Sequence, residues 1–304
     1  MRRALQAAAI AGLLAAAFVA VQAPGAAALA WLSLTGRSPD CPWGNALGAS
    51  VHARLLEETK DRIVARLERS AEADGGLELW ETPRGSVWIP AGNQFLMAFN
   101  LAEQELDIYE AGEVRVRPGD IVLDCGANVG LFARKALARG ARLVVAIEPA
   151  PQNLKCLRRN LAHEVEAGRV IVYPKGVWDR EDVLTLHIDP ANTAAASFVT
   201  GSNGGQNVTH VPLTTIDRLV AELNLPRVDY IKMDIEGAET RALHGAAETL
   251  KRWRPRLAVS AYHLPEDPRT IPAAVRGALA GYRMRCGACE RVDGRIRPKV
   301  LLFW

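Results

Sequence analysis

From about Glu113 onward the chain alternates short apolar runs with amphipathic stretches. The apolar runs are Ile121-Val122-Leu123, Leu143–Ile147, Val170–Tyr173, Val183–Ile188, Tyr230–Met233, Leu257–Ala261 and Val300–Phe303. Between them, helical spacing predicts helices over Gly130–Ala138, Pro151–His163, Thr215–Leu223, Ala238–Lys251 and Ile271–Leu279. A strand that is apolar at every position is buried on both faces, and its alternation with helices builds a doubly wound, mostly parallel α/β sheet. Ligands of such sheets bind outside the carboxyl ends of the strands, so the chemistry is sought there.

The pattern differs upstream. Leu47, Val51, Leu55, Ile63 and Leu67 recur at helical spacing and predict a helix from about Ala46 to Ala73, ended by Asp74-Gly75-Gly76. Leu77–Ile89 alternates around Pro83-Arg84-Gly85 and reads as a hairpin, followed by a second helix over Gln94–Tyr109. Arg37–Asn45, with two prolines and a glycine, reads as a linker. Three regions follow: an apolar leader over 1–36, a linker, helix and hairpin extension over 37–112, and an α/β catalytic domain over 113–304.

The leader changes the picture most. Residues 4–23 form an uninterrupted apolar stretch, broken by Pro24-Gly25. Twenty residues at a 1.5 Å rise match the ~30 Å hydrocarbon core of a bilayer, so the stretch reads as a signal peptide or an anchor, and association with a membrane is expected through it. The bland alternative is an Ala-rich helix with no membrane role. Arg2-Arg3 before the stretch places the body outside the membrane by the charge rule, whereas five cysteines without a disulfide framework favour a reducing, cytoplasmic side.

The chain of 304 residues is 49% hydrophobic and 23% charged, which excludes overall disorder and a many-pass membrane protein. Of its 37 basic residues only Arg2 and Arg3 fall in the first 36 positions, so the body is near neutral against 34 acidic residues. A net charge of +3 is too small to argue for a nucleic-acid partner.

The first strand of the sheet runs into Asp124-Cys125-Gly126-Ala127-Asn128-Val129-Gly130, directly before a helix. Gly126 and Gly130 permit a tight turn and close backbone approach to a ligand. An acid at this place repels the pyrophosphate that a dinucleotide site cradles, and suits a ligand carrying an ammonium group. The second strand ends at Glu148-Pro149, where a carboxylate commonly accepts from both ribose hydroxyls of a nucleoside. Together the two contacts describe S-adenosylmethionine. The plainer readings are that Asp124 caps the helix and Glu148-Pro149 is a surface turn.

Four stretches resemble the FkbM family of S-adenosylmethionine-dependent methyltransferases: Asp124–Gly130, Glu148-Pro149, Val211–Asp217 and Val228–Glu239. The last two are the distinctive ones, and the likeness covers about residues 95–265. It implies a Rossmann-like seven-stranded sheet with an antiparallel last strand, and methyl transfer to a hydroxyl of a small-molecule or glycan-like acceptor. The family pattern has a glutamate two residues before the histidine after the fifth strand; this chain reads Ser260-Ala261-Tyr262-His263, so no acid role carries over.

O-methylation needs the acceptor hydroxyl in line with the methyl group and a base for its proton. Asp234, Glu236 and His263 are the candidates, with a neutral imidazole expected at His263. Carboxylates this close also suit a divalent cation, although no metal ligand is assigned. Glu239 reads as a helix-start acid, Lys232 as the partner of Asp234 or Glu236, and Thr215 or Asp217 as a helix cap. Gly176 is placed near the adenine, Trp178 near the adenine or in a core, and Asn100, Glu103, Glu105 and Tyr109 over the cofactor or on a solvated face. Ala194–Gly205 reads as a flexible loop near the acceptor site, and Cys286-x-x-Cys289 as a turn rather than a metal site. The rival functions are another nucleotide-dependent Rossmann enzyme, such as a dehydrogenase, and a non-catalytic, membrane-tethered binding module.

Overall fold

The computed structural model of the protein describes residues 31–32, 34–37, 40–189, 192–197, 207–292 and 294–304. The apolar stretch 4–23, read as a signal peptide or anchor, lies outside the described residues; among those described, no helix is long and apolar enough to cross a membrane.

The described chain opens with helix α1 (Trp43–Val64) and three strands, β1 (Glu68–Asp74), β2 (Leu77–Thr82) and β3 (Gly85–Pro90), joined antiparallel in that order. The expected hairpin is therefore present and gains a strand. The helix expected to reach Ala73 stops at Val64. Asp74-Gly75-Gly76 is a hairpin turn rather than a helix stop: Gly75 and Gly76 both have positive φ, 58° and 83°, as the tight turns that match strand twist require. Helix α2 (Gln94–Glu105) follows, shorter than the expected Gln94–Tyr109.

The body then runs β4 (Ile121–Cys125), α3 (Leu131–Ala138), β5 (Leu143–Ile147), α4 (Pro151–Asn160), α5 (Ala162–Glu166), β6 (Val170–Tyr173), β7 (Gly176–Val177), β8 (Asp182–Asp189), β9 (Asn192–Ser197), β10 (Asn207–Thr214) and α6 (Ile216–Glu222). After these come β11 (Tyr230–Met233), α7 (Glu239–His244), α8 (Ala247–Trp253), β12 (Arg256–Ser260), α9 (Asp267–Ala278), β13 (Met284–Cys286), β14 (Cys289–Val292), β15 (Arg295–Pro298) and β16 (Val300–Phe303).

Seven strands form one sheet in the order β13-β16-β12-β11-β4-β5-β6. The five from β12 to β6 are parallel, and β16 runs antiparallel to both its neighbours. The expected mixed α/β architecture with an antiparallel last strand is thus what the chain adopts. Six of the seven apolar runs enter this sheet. The exception is Val183–Ile188, which lies in β8 of a separate four-stranded sheet, β7-β10-β8-β9. Its place is taken by β13, whose sequence Met284-Arg285-Cys286 is short and partly exposed, as an edge strand permits.

Each central strand sends alternate residues to opposite cores. Ile121, Leu123, Val145, Ile147, Ile231, Met233, Leu257 and Val259 join one buried cluster; Val122, Val144, Ala146, Tyr230 and Ala258 join the other. Burial on both faces explains the continuous apolar runs. A third cluster binds the extension to the body, with Leu56, Leu77, Val87, Ile89, Met97 and Leu101 packed on Val129, Leu131 and Cys156. At this seam the buried Asn160 side chain accepts from Trp88 N at 2.7 Å and donates to Trp88 O at 2.9 Å and Val129 O at 2.8 Å.

Two expected helices are interrupted. Pro151–His163 divides into α4 and α5, and Ala238–Lys251 breaks at Gly245, where a Cβ would lie 2.1 Å from the Trp178 carbonyl oxygen. Part of the expected loop Ala194–Gly205 is strand, since β9 runs to Ser197; residues 198–206 lie outside the described ones. The expected linker Arg37–Asn45 is tied down instead. Cys41 is disulfide-bonded to Cys289, Arg37 O accepts from Ile296 N at 3.0 Å, and Asn45 Nδ2 donates to the carbonyls of Cys286 and Gly287. The expectation of five free thiols is therefore corrected: Cys125, Cys156 and Cys286 are free and buried, and the other two are paired.

Candidate active site

Strand order reverses between β4 and β11, so their carboxyl ends diverge and leave a crevice. A cavity of about 300 Å³ fills it, within the range of small-molecule sites. Its wall includes Gly126, Ala127, Asn128, Glu148, Pro149 and Gly176 on one bank, with Asp234 and Glu236 on the other; Asn100, Glu103, Tyr109 and Tyr262 also contribute.

The first bank is built from backbone. After β4 the chain turns through Gly126 (φ 78°), Asn128 (φ 49°) and Gly130 (φ 93°), and the amides of Gly126 and Ala127 both donate to Ile147 O at 3.0 Å. A Cβ on Gly126 would sit 2.0 Å from the Asp234 carbonyl oxygen, so only glycine lets β4 and the turn after β11 approach this closely. A Cβ on Gly130 would meet Leu157 at 2.9 Å; this glycine serves helix packing and lies behind the wall.

Glu148 at the end of β5 accepts Asn128 N through Oε2 at 2.9 Å and Ala150 N through Oε1 at 2.8 Å. Oε1 also meets Asn153 Nδ2 at 3.5 Å, whereas Oε2 keeps a second lone pair for a hydroxyl donor. Burial pushes its pKa up to about 6 against these two amide bonds.

Asp124 does not face the cavity. It is fully buried, and its register partner across the sheet, Lys232, brings Nζ to 3.3 Å from Oδ1 and donates to Gly126 O at 2.8 Å. The expected direct contact between Asp124 and a ligand ammonium is thus replaced by an ion pair beneath the turn. It also corrects the expectation for Lys232, which pairs with Asp124 rather than with Asp234 or Glu236. Trp178 likewise lies off the cavity wall, packed among Ala150, Leu186, Val211, Leu213 and Ala238 with Arg241 across its ring at 5.6 Å.

The second bank is a cluster of charges. Asp234 follows β11, Glu236 holds a left-handed backbone (φ 55°) in the next turn, and His263 follows β12. His263 Nε2 stands 3.5 Å from Asp234 Oδ1 and 3.5 Å from Glu236 Oε1, and Nδ1 stands 3.0 Å from Glu239 Oε1. Burial alone would depress the imidazole pKa, but the charges of Glu239, Glu236 and Asp234 outweigh it and hold it well above the ordinary value. The expected neutral imidazole is therefore an imidazolium, set behind Asp234 and Glu236 rather than in the wall.

Its carboxylate partners diverge. For Asp234, burial is outweighed by the positive charges of Lys232 and His263, which keep the carboxyl below its usual range. Burial dominates at Glu236 and raises it. Such divergence between neighbouring acids is how one site comes to hold distinct proton-transfer roles.

Glu239 is more than a helix-start acid. Fully buried, it accepts Ile235 N at 2.9 Å and Gly237 N at 3.0 Å while meeting His263. Asp234, Glu239 and His263 bring ligand atoms within 4.8 Å of one another, the spacing of a metal site. Each Glu239 oxygen accepts one amide, and Oε1 also meets His263 Nδ1.

Sequence spacing names Tyr109 and Glu103 but not their partners, and it misses Tyr262 and Lys299. Tyr109 donates to Asp234 Oδ2 at 2.9 Å, which makes it a partner of the acid. Tyr262 lies against the His263 ring at 4.2 Å between centroids. Lys299, from just before β16, pairs with Glu103 at 2.8 Å and with Glu290 at 3.3 Å. Burial lifts Glu103 to about 7 despite Lys299. No local motif marks these residues, since their partners lie far away in the chain. Of the two expected caps, Thr215 Oγ1 caps α6 by accepting Arg218 N at 3.0 Å, whereas Asp217 accepts from Glu248 N and Thr249 N at the start of α8.

Comparison with known proteins places this geometry. The chain is 30% identical to the 31-O-demethyl-FK506 methyltransferase FkbM of Streptomyces tacrolimicus, over 44% of this chain and 62% of the relative. It is 26% identical to the AMB antimetabolite synthetase AmbE of Pseudomonas aeruginosa over 66% of this chain. With the 2-O-methyltransferase NoeI of Sinorhizobium fredii it shares 25% identity over 45% of this chain. It spans 62%, 11% and 62% of the lengths of these three relatives. The crystal structure of methyltransferase FkbM from Methylobacillus flagellatus KT is 18% identical, covering 83% of this chain and 58% of that one, with a TM-score of 0.49. Residues 124–284, just over half of the chain, match the methyltransferase FkbM domain, and the chain belongs to this family of methyltransferases.

Proposed function

We propose that this FkbM-family enzyme uses S-adenosylmethionine to methylate a hydroxyl group on a small-molecule or glycan-like acceptor. The observation that carries this reading is one cavity with two chemically opposite banks. A glycine turn and a ribose-type acid, Glu148, lie on one side, and the acids Asp234 and Glu236, backed by His263 and Glu239, on the other. The fit to the nucleoside rests on the spare lone pair of Glu148 Oε2 and on the Gly126–Asn128 turn beside it in the cavity wall. When bound, S-adenosylmethionine supplies an electrophilic methyl group on a sulfonium.

The remaining work falls to the chain's own residues. Glu236, the weaker acid of the pair facing the cavity, is the base that takes the acceptor's proton. Asp234, also in the cavity wall, orients the acceptor hydroxyl by accepting from it. Tyr109 holds Asp234 Oδ2, and the His263 imidazolium holds both acids at 3.5 Å. Glu239 positions His263 in turn. The Gly126–Asn128 turn and Glu148 would hold the cofactor, which would supply the methyl group to the acceptor oxygen, and the hydroxyl proton passes to Glu236.

Isothermal calorimetry with S-adenosylhomocysteine and with NAD tests the cofactor. Binding of the first, lost in Glu148→Ala, supports the reading; binding of NAD alone overturns it in favour of a dehydrogenase. Labelled methyl transfer into glycan, lipid and peptide extracts tests the acceptor. Cofactor binding with no transfer into any of them would leave a binding module. The membrane association expected from residues 4–23 is tested by fractionating cells that express the full chain and the chain without residues 1–36.

A further inference from the structure

Outside the active site, three sulfur atoms meet where the two ends of the described chain are joined. We propose that Cys41, Cys286 and Cys289 form a thiolate site for a zinc-type divalent cation once the Cys41–Cys289 disulfide is reduced, so that the N-terminal helix stays fastened to the C-terminal hairpin in both redox states.

The geometry carries the argument. The three Sγ atoms lie within 4.8 Å of one another, and Cys286 Sγ is 3.7 Å from Cys289 Sγ. Thiolates bound tetrahedrally to zinc at about 2.3 Å stand roughly 3.8 Å apart, so this edge already has the required length. All three residues are buried, at 8%, 8% and 1% exposure, which excludes water from the sulfurs. Two ligands in Cys-x-x-Cys spacing and a third from a distant segment are a recurrent zinc arrangement. A second Cys pair is not needed, because Cys41 arrives from 248 residues away.

The frame is built on both sides. Gly287 N donates to Val300 O and Lys299 N to Ala288 O, each at 2.8 Å, so the Cys286–Cys289 turn is clamped on the start of β16. A Cβ on Gly287 would come 2.9 Å from Val300 O, so the turn needs glycine there. From the other side, Asn45 at the start of α1 holds the carbonyls of Cys286 and Gly287. The three sulfurs fill three of the four positions of a tetrahedral site.

The chemistry balances without an unnamed partner. A dithiol reductant gives two electrons and two protons to the Cys41–Cys289 bond and leaves as its own cyclic disulfide. The three thiols then release their protons to solvent as the cation binds.

The test uses the full chain, reduced with dithiothreitol, desalted under argon and titrated with Co²⁺ as a spectroscopic substitute for zinc. The expected result is one equivalent bound, with a thiolate-to-cobalt charge-transfer band that Zn²⁺ abolishes. Cys286→Ser should lose the band while its oxidised form still shows the Cys41–Cys289 peptide by mass. Cys156→Ser, a buried thiol elsewhere, should keep the band. A reduced wild type with no more thiolate–cobalt absorption than Cys286→Ser overturns the proposal, as does loss of the band in Cys156→Ser.

Discussion

The two banks of the cavity are made by different means. The bank around Gly126 and Glu148 follows two neighbouring strands of the sheet and consists largely of backbone; its hydrogen bonds run from turn amides to Ile147 O and to a single carboxylate. The bank around Asp234 is an assembly of side chains from α2 and the segment after it, from the ends of β11 and β12, and from α7. A backbone turn tolerates little substitution but needs few partners. A charge cluster tolerates shape-preserving changes but fails when any one charge is removed, because the others are left uncompensated in a buried site. The two banks therefore predict different kinds of failure.

The largest expected effect erases the distinction. Gly126→Ala puts a Cβ 2.0 Å from the Asp234 carbonyl oxygen at a residue with φ 78°, so it strains one bank and displaces the other. It should cost about 3 kcal/mol or more of stability, read by urea unfolding, and abolish S-adenosylhomocysteine binding. Intact binding in this variant would mean that the banks are not in contact.

Next, Glu236→Gln keeps the shape of the second bank and removes the assigned base. Methyl transfer should fall by about 10²-fold or more in kcat, with S-adenosylhomocysteine affinity changed by less than about threefold. An equal loss in both quantities would show that the banks are not functionally separate.

A smaller effect concerns charge balance. His263 has a folded pKa raised by its three carboxylates, so its contribution to stability is fully present below the unfolded value near 6.5 and is lost as pH rises through the folded pKa. The stability gap between wild type and His263→Gln should therefore be widest near pH 6 and should narrow on the alkaline side, by urea unfolding across that range. Glu239→Gln removes the charge that contributes most to the shift and should move the narrowing to lower pH. A gap independent of pH would show that His263 is neutral in the folded protein.

The smallest effect belongs to the first bank. With the Glu148 pKa at about 6, protonation removes an acceptor, and S-adenosylhomocysteine binding should weaken by up to about tenfold between pH 7 and pH 5. Glu148→Gln should bind more weakly and with a flatter profile. A wild-type profile as flat as that of Glu148→Gln would remove Glu148 from the ribose contact.

The legibility of the two banks in sequence follows the same division. Asp124–Gly130 and Glu148-Pro149 could be read because the turn, the strand end and the helix start lie close together in the chain. Asp234 and Glu236 could be read as acids at a strand end, but their protonation could not. His263 looks like an ordinary histidine until Glu239 and Asp234 are brought to it, and Lys232 looks like a partner for Asp234 until sheet register sets it opposite Asp124. Tyr109 could be placed near the cofactor but not against Asp234, and Tyr262 and Lys299 carry no local signal at all.

The sequence by itself determined the mostly parallel α/β sheet and the family, because continuous apolar runs and local motifs depend on neighbours along the chain. It also marked Gly126, since a tight turn before a helix demands it. Tertiary structure decided which acids are partnered, which histidine is charged, and that Cys41 meets Cys289 rather than staying free. It likewise sent Val183–Ile188 to a second sheet and put Met284–Cys286 at the edge of the first. Each of these depends on a contact between segments distant in the chain, and on burial that turns a weak charge preference into a large one.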